Sequence, residues 1–315
     1  MKRDILINTT HRETRVAILE DEQLVELLTD RPDARRLVGD VFLGRVEAVH
    51  PGIQAAFVNI GTEKSAFLHA SDLVPPDADR EDEAEDDAPD EENEKPRRGT
   101  RKRVEIPAIQ DIVKKGQDLT VQVTKESIST KGPRVTAQIS LAGRFLVYMP
   151  FASKVGISRK IGDRAQRARL REQVESVLPE NSGGVIVRTV SEDATPDNFK
   201  RELDTLMSQW RRIQKKTKHV KAPSALHRET SLTRGIMRDV LSTKVERVYV
   251  DSKQLHNEIV EYLKGVAPEL IERVKLYEES VPLFDKFEIE TEIRDLFKRR
   301  CDLPSGGYLI IEPTE

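Results

Sequence analysis

The chain contains almost no cysteine and no long apolar run. Cys301 is the single cysteine among 315 residues, which excludes an internal disulfide framework and a zinc site made from a pair of this chain's own cysteines. No segment approaches the roughly 18 apolar residues that a membrane-spanning helix needs, and Met1-Lys2-Arg3-Asp4 does not open a signal peptide. We therefore expect a cytoplasmic protein without a membrane-spanning segment.

Acidic and basic residues are unevenly distributed, so the net charge of −3 hides the character of most of the chain. Residues 77–94 carry twelve carboxylates and one arginine, whereas residues 95–103 carry six lysines and arginines and no acid. The remainder is mildly basic, which is compatible with nucleic-acid binding. Because like-charge blocks repel themselves, we expect a disordered insertion at 76–103 that serves as a spacer, with a partner-binding tail as the alternative.

Two short runs with alternating character predict a β-hairpin. They are Gln54–Ile60 and Lys64–Leu68, joined by Gly61-Thr62-Glu63. Simple pairing places Phe57 directly across from Phe67, on the face opposite the aliphatic side chains. Two aromatic rings on the wetter face of a sheet can stack unpaired bases. The alternative is a cross-strand packing pair that the rest of the domain covers.

The two ends of the chain predict parts of one domain. Three meandering strands at residues 4–29 are too few to form a stable domain alone, so we expect them to complete their core with an α/β set in the final third. That set comprises helices at Leu232–Leu241, Ser252–Lys264 and Phe284–Lys298 and strands at Arg247–Val250 and Arg273–Tyr277, with Phe287, Ile289, Ile293 and Phe297 as candidate core residues of the last helix.

The middle of the chain predicts the rest of a barrel and then a second α/β unit. Gln117–Lys125 and Arg134–Leu141 alternate as barrel strands, with Lys131 in the turn between them. The second unit has strands at Phe145–Pro150 and Val185–Arg188, a basic helix at Asp163–Leu178 and a long helix that opens at Thr195-Pro196.

The long helix combines an apolar stripe with a basic end. Its stripe predicts core positions, although base stacking is an alternative for Trp210. The segment Arg211–Lys221 carries six basic residues and no acid, which indicates either a solvated helix end or a patch that contacts phosphates. The stripe consists of Phe199, Leu203, Leu206, Trp210 and Ile213.

Several separated segments resemble, in order, the ribonuclease E/G family, and the similarity covers the chain except for the charged insertion. Gly44-Arg45-Val46 and the hairpin also resemble the OB-fold RNA-binding domain of ribosomal-protein type. The family segments are Met1–Asn8 with Arg15-Val16-Ala17, Ala55–Leu68, Ile139-Ser140-Leu141-Ala142-Gly143 with Leu146–Pro150 and Gly156–Lys160, Ile186-Val187-Arg188-Thr189, and Leu303–Glu315.

The resemblance implies an α+β multidomain fold, in which an RNase-H-like α/β domain is interrupted by an OB-fold β-barrel and an α/β 5′-sensor domain. The expected ranges are 1–37 and 226–298 for the RNase-H-like domain, 38–141 for the OB fold, 142–225 for the 5′-sensor, and 299–315 for the start of a truncated DNase-I-like domain.

The resemblance also implies two groups of RNA-binding residues. Phe57, Phe67 and Lys131 match family positions that hold single-stranded RNA. The positions that match the site for an RNA 5′-monophosphate are Arg188, Thr189, Gly143, Val147 and Arg159. A guanidinium grips phosphate oxygens with two prongs and a threonine hydroxyl adds a donor; an ion pair at a strand end is the alternative for Arg188.

The implied function is that of the RNA-binding N-terminal region of a single-strand-specific endoribonuclease stimulated by a 5′-monophosphate. In the family, Mg²⁺ held by aspartates supports hydrolysis, and a segment like Leu303–Glu315 precedes them. We therefore expect the Mg²⁺ ligands beyond Glu315, no catalytic or metal-binding residue in this chain, and a homo-oligomeric full-length protein with Zn²⁺ at the subunit link.

Two other functions stay open at this point. One is a non-catalytic RNA-binding or regulatory protein. The other is a metal nuclease in the RNase-H-like domain, where Asp4 and Asp251 at adjacent strand ends would hold Mg²⁺.

Overall fold

The chain divides into two compact units, described here from a computed structural model. Unit 1 comprises residues 1–35 and 230–315, and unit 2 comprises residues 36–229. The structure describes residues 2–31, 36–74, 107–129, 131–229, 232–241, 245–303 and 305–313. The insertion expected at 76–103 lies outside the described residues, and the expected domain boundaries stay predictions.

The described residues form strands and helices in both units, numbered here in chain order. The strands are β1 (Arg3–Thr9), β2 (Thr14–Glu20), β3 (Gln23–Asp30), β4 (Val41–His50), β5 (Ala55–Asn59), β6 (Ala66–His69), β7 (Asp118–Lys125), β8 (Arg134–Thr136), β9 (Leu141–Ala142), β10 (Leu146–Met149), β11 (Val155–Ile157), β12 (Gly184–Val187), β13 (Ser224–His227), β14 (Val245–Val250), β15 (Val274–Leu276), β16 (Arg300–Asp302) and β17 (Tyr308–Ile310). The helices are α1 (Ile109–Ile112), α2 (Arg164–Glu175), α3 (Pro196–Thr217), α4 (Leu232–Asp239), α5 (Lys253–Val266), α6 (Leu283–Lys286) and α7 (Ile289–Leu296).

Unit 1 contains a five-stranded sheet in the order β15-β14-β1-β2-β3. The first three strands form an antiparallel meander, and β14 and β15 run parallel to β1. Both sheet faces are covered, since Ile5 and Ile7 pack into a core with residues of α4 and α5 while Leu6 packs with Phe284 and Ile289 on the other side. This explains why three consecutive apolar residues, Ile5-Leu6-Ile7, stand in the middle of β1.

The last predicted helix of unit 1 is interrupted. Glu288 adopts φ 60° in the left-handed region and separates α6 from α7. Ile289 is fully buried, but the Phe297 side chain is 85% exposed, so the expectation that Phe297 is a core residue is wrong. Phe297 follows α7, which ends at Leu296, so a core stripe projected past that helix end no longer faces the core.

Asp4 and Asp251 lie at opposite ends of the parallel strand pair β1 and β14. The alternative in which the two carboxylates share a Mg²⁺ ion is therefore wrong. Asp4 pairs in register with Arg247 and accepts a hydrogen bond from its Nη2 at 2.6 Å. Asp251 follows β14 and accepts from the Asn8 side chain and the Thr9 backbone. Because Asp251 is four positions after Arg247, the Cα atoms of Asp4 and Asp251 are offset by about 13 Å along the strands.

Unit 2 begins with a closed five-stranded barrel of OB-like form. The strands pair in the circular order β4-β5-β6-β8-β7, β7 returns to β4, and β13 adds to the edge of β4. The barrel interior is filled by small and branched side chains, among them Val58, Ala66 and Leu68, which are fully buried. Gly44 stands on β4 where a Cβ would lie 2.5 Å from the Val58 side chain.

The remainder of unit 2 is a sheet in the order β11-β12-β10-β9 packed against α2 and α3. Asp163 caps α2, and Thr195 with Asn198 forms a capping box at the start of α3. The predicted stripe of α3 is confirmed for its four aliphatic and phenylalanine positions, which are buried, whereas Trp210 is only partly buried. No helix in the described parts of the chain is long and apolar enough to cross a membrane.

Candidate nucleic-acid interface

The predicted pairing of the two phenylalanines is confirmed. Phe57 of β5 is directly opposite Phe67 of β6, and the two ring centroids are 6.0 Å apart in an edge-to-face arrangement. Both rings are partly exposed. They point away from the barrel interior, because Ala56, Val58 and Leu68 occupy the inward positions of the same strands.

Two histidines extend this pair, and neither is among the predicted RNA-binding residues. The His50 ring lies edge-on to Phe57 at 5.4 Å, and the His69 ring lies 6.5 Å from Phe67 and nearly parallel to it. Alternation places His69 on the same strand face as Phe67, two residues later, whereas nothing in the local pattern places His50 there. We call His50, Phe57, Phe67 and His69 the aromatic strip.

Lys131 is exposed in the loop that leads into the strand beside Phe67. Residues 128 and 131 form an isolated bridge, and the Pro133 carbonyl accepts the Phe67 N–H at 2.8 Å. Between them, Gly132 approaches β6 so closely that a Cβ would lie 2.1 Å from the Ser65 carbonyl oxygen. The β-structure thus places an ammonium group on the loop that flanks one end of the aromatic strip.

Four of the five residues expected at the 5′-phosphate come together at one end of the second sheet. Arg188 follows β12 and its Nη1 donates to the Gly143 carbonyl at 2.8 Å. Thr189 opens a 3-10 turn whose buried Ser191 hydroxyl donates to the Phe145 carbonyl. Val147 stands on β10 and pairs with Ile186, two residues before Arg188.

Arg159 reaches the same end of the sheet from a different strand. The Ser158 N–H donates to the Val187 carbonyl at 2.8 Å, which extends the parallel pairing of β11 and β12. Arg159 is exposed just beyond this hydrogen bond. The fold therefore brings the fifth expected residue to the sheet end that carries Arg188.

Glu202 of α3 organises the turn at residues 143–146, and sequence reasoning missed it. Its carboxylate accepts the backbone N–H groups of Arg144, Phe145 and Leu146 at 2.6, 2.8 and 2.8 Å. Burial raises the pKa of Glu202, while these hydrogen bonds and the positive charge of Arg188 oppose the shift. The available signal was an acid next to Leu203 on a core-facing helix.

The same carboxylate explains the glycine at 143. A Cβ there would stand 2.5 Å from Cδ of Glu202, so a larger residue would displace either the turn or the acid. Arg188 is half-buried close to the Glu202 carboxylate, which already accepts backbone N–H groups. Its phosphate-binding role stays a prediction.

Similarity to known proteins covers both the candidate sites and their surroundings. The model of the ribonuclease E/G family matches residues 140–315. The chain is 38% identical to ribonuclease G of Haemophilus influenzae over 99% of its own length and 60% of that protein. It belongs to the ribonuclease E/G family.

Further family members align over the whole chain. Ribonuclease G of Escherichia coli strain K12 is 36% identical, over 61% of its length, and ribonuclease E of Synechocystis is 34% identical, over 43% of its length. The chain thus spans about three-fifths of the length of the ribonuclease G relatives that it matches.

Proposed function

We propose that this chain is the RNA-binding N-terminal region of a single-strand-specific endoribonuclease that acts in RNA processing and decay. The observation that carries the proposal is the aromatic strip, whose rings stand partly exposed on the outer face of an OB-like barrel. Every base has a π-face, so such a strip holds unpaired RNA without reading a particular sequence. The names of the relatives supply the reaction class.

The finer architecture forms part of this proposal. The meander β1-β2-β3 continued by two parallel strands supports an RNase-H-like domain, and the four-stranded sheet with α2 and α3 supports a 5′-sensor domain. The hairpin of β16 and β17 would begin the DNase-I-like domain; its residues are exposed.

The proposed 5′-sensor site binds a terminal monophosphate. Arg188 supplies a guanidinium, whose planar fork of donors suits a phosphate dianion, and Thr189 adds a hydroxyl. The Glu202 carboxylate fixes the turn that carries Gly143, and it sets the turn in place before RNA arrives.

Metal ions belong to the proposed whole protein. Among the described residues, no three His, Cys, Asp or Glu side chains gather into a group that could hold a metal ion. Mg²⁺ would supply phosphodiester hydrolysis from ligands that the resemblance places beyond Glu315, and Zn²⁺ would link subunits of a homo-oligomer. The residues of this chain would bind and orient the RNA.

The test compares the Kd of one single-stranded RNA carrying either a 5′-monophosphate or a 5′-hydroxyl. We expect the wild-type chain to prefer the monophosphate and Arg188→Ala to lose that preference while binding 5′-hydroxyl RNA as before. The control is Arg169→Ala, which removes an arginine of α2 whose guanidinium donates to the Glu192 carbonyl. Equal losses of Arg188→Ala on both RNAs would remove the sensor assignment.

A further inference from the structure

The second half of α3 presents a basic surface that the aromatic strip and the 5′-phosphate site leave unused. Residues 205–223 contain six lysines and arginines and no acid, and all six side chains are exposed. We call them, together with Phe151, the α3 surface; its basic members are Arg211, Arg212, Lys215, Lys216, Lys218 and Lys221.

Helix stability does not account for this charge. Lysines on or just after other helices stand beside acids, as in the pairs Lys264–Glu261 and Lys298–Asp295. No carboxylate in the described ranges forms an ion pair with a basic member of the α3 surface. Favourable interaction with the helix dipole is confined to the last turn, and Arg211 and Arg212 precede that turn.

An exposed aromatic ring accompanies the charges. Phe151 follows β10 and is 54% exposed, and it rests edge-to-face on Trp210 with the centroids 5.5 Å apart. Trp210 in turn packs against the core of the domain, so the outer ring is held in place from beneath. Arg211 is the next residue on α3. Burial raises the pKa of Tyr148, three residues before Phe151, and the charge of Arg211 opposes that rise.

The position of α3 connects the two sites proposed above. Glu202, near its start, holds the turn of the 5′-phosphate site. After its end, Pro223 stands against the β5–β6 loop, where a Cβ on Gly61 would lie 3.7 Å from it. From Glu202 to Thr217 the helix rises about 22 Å, a span of several nucleotides.

We infer that the α3 surface binds the sugar-phosphate backbone of single-stranded RNA between the 5′-phosphate site and the aromatic strip, with one base stacked on Phe151. The inference rests on the proposed function. Arg211 and Lys215 lie one turn apart on one side of α3, and Lys218 follows directly after its last residue, which suits a run of phosphates. A lipid surface fits less well, because the apolar stripe of α3 is buried in the core and unavailable for insertion.

The test measures binding of the whole chain to 5′-hydroxyl oligouridine as a function of salt. The main variant replaces Arg211, Arg212, Lys215 and Lys216 by glutamine. The control replaces four other exposed lysines by glutamine, namely Lys114, Lys115, Lys253 and Lys275, which makes the same change in net charge. Thermal melts of all chains establish that they are folded.

The α3 variant should bind at least about tenfold more weakly at low salt. The slope of log K against log salt should fall by about 2–3, because each phosphate that the protein no longer neutralises lowers the slope by about 0.7. The control should keep the wild-type slope. Phe151→Ala should weaken binding roughly 5- to 150-fold with the slope unchanged, because stacking releases no counterions.

Binding to vesicles of phosphatidylglycerol is measured in parallel for the same chains. Three results would overturn the inference: a wild-type slope in the α3 variant, an equal loss of RNA binding in the control, or an α3 variant that loses binding to the vesicles but not to RNA. The 5′-hydroxyl probe makes this test independent of the sensor. If the wild-type chain shows no preference for a 5′-monophosphate but the slope still falls in the α3 variant, the proposed sensor fails and the α3 surface stands.

Discussion

Neighbouring side chains on the barrel strands of unit 2 differ in burial: some pack in the barrel core, and others remain accessible to a ligand. Val58 and Leu68 are completely buried, while Phe57 and Phe67 on the same strands stay partly exposed. The rings also stabilise the hairpin, since edge-to-face pairs contribute beyond the area they bury. Mutations of the strip must therefore separate packing from stacking.

At Phe57 we expect replacement by alanine to weaken single-stranded RNA binding by about 1–3 kcal/mol, because a stacked base loses its platform. Phe57→Leu keeps most of the apolar packing and should lose a similar amount of binding with a smaller loss of stability. Fluorescence anisotropy with a labelled oligonucleotide measures the first quantity and thermal unfolding the second. Phe297→Ala, at a ring 85% exposed in unit 1, is the matched control. Unchanged RNA binding in Phe57→Ala would favour a packing role alone.

Glu202 should give stability a distinctive pH dependence. Its folded-state pKa lies above the ordinary 4.5, chiefly through burial, so the folded chain retains the proton longer than the unfolded chain does. The free energy of unfolding should therefore fall as pH rises from the ordinary pKa through the raised one. Denaturant titrations across that window should show this component in the wild type and not in Glu202→Gln. A stability difference between the two chains that is constant with pH would contradict this assignment.

At the scale of elements, close backbone approaches fix the candidate sites. The loop from β7 to β8 must pass directly over the start of β6, and the barrel closes only because β8 then pairs with that strand. The turn between β9 and β10 similarly depends on a carboxylate reaching it from α3. In both places a glycine makes room for a neighbouring group.

Gly132→Ala should destabilise the barrel by about 1–3 kcal/mol, because the added Cβ would meet a backbone carbonyl that has no freedom to move aside. RNA affinity should fall in parallel, since Lys131 and the β6–β8 pairing shift together. Gly52→Ala introduces a Cβ with nothing within 4 Å and controls for the substitution itself. Denaturant midpoints measure the stability of both variants; equal stability would show that the loop relaxes at little cost.

At the scale of the whole molecule, sequence patterns anticipated most elements and the facing phenylalanines. Period-2 and period-3.6 patterns carry that information because they report burial directly. The patterns did not reveal the break at Glu288, which depends on one residue in a left-handed conformation, or the role of Glu202, whose three backbone partners are distant in sequence. His50 joins the strip through strand pairing, which local periodicity does not specify.

The two units also differ in what they offer to a ligand. Unit 1 is a sheet covered on both faces, and its two conspicuous carboxylates stand at opposite strand ends. Unit 2 carries the partly exposed aromatic strip, the turn next to Arg188 and the basic end of α3. The division predicts that RNA binding belongs to unit 2.

Photocrosslinking tests that claim most directly. A single-stranded oligonucleotide with a 5′-monophosphate and photoreactive uridines would be bound to the whole chain, irradiated, and the modified peptides identified by mass spectrometry. We predict crosslinks on the peptides of β5 and β6, at Phe57 and Phe67, that disappear when unlabelled RNA competes. Crosslinks confined to unit 1, with both phenylalanine peptides unmodified, would contradict the account.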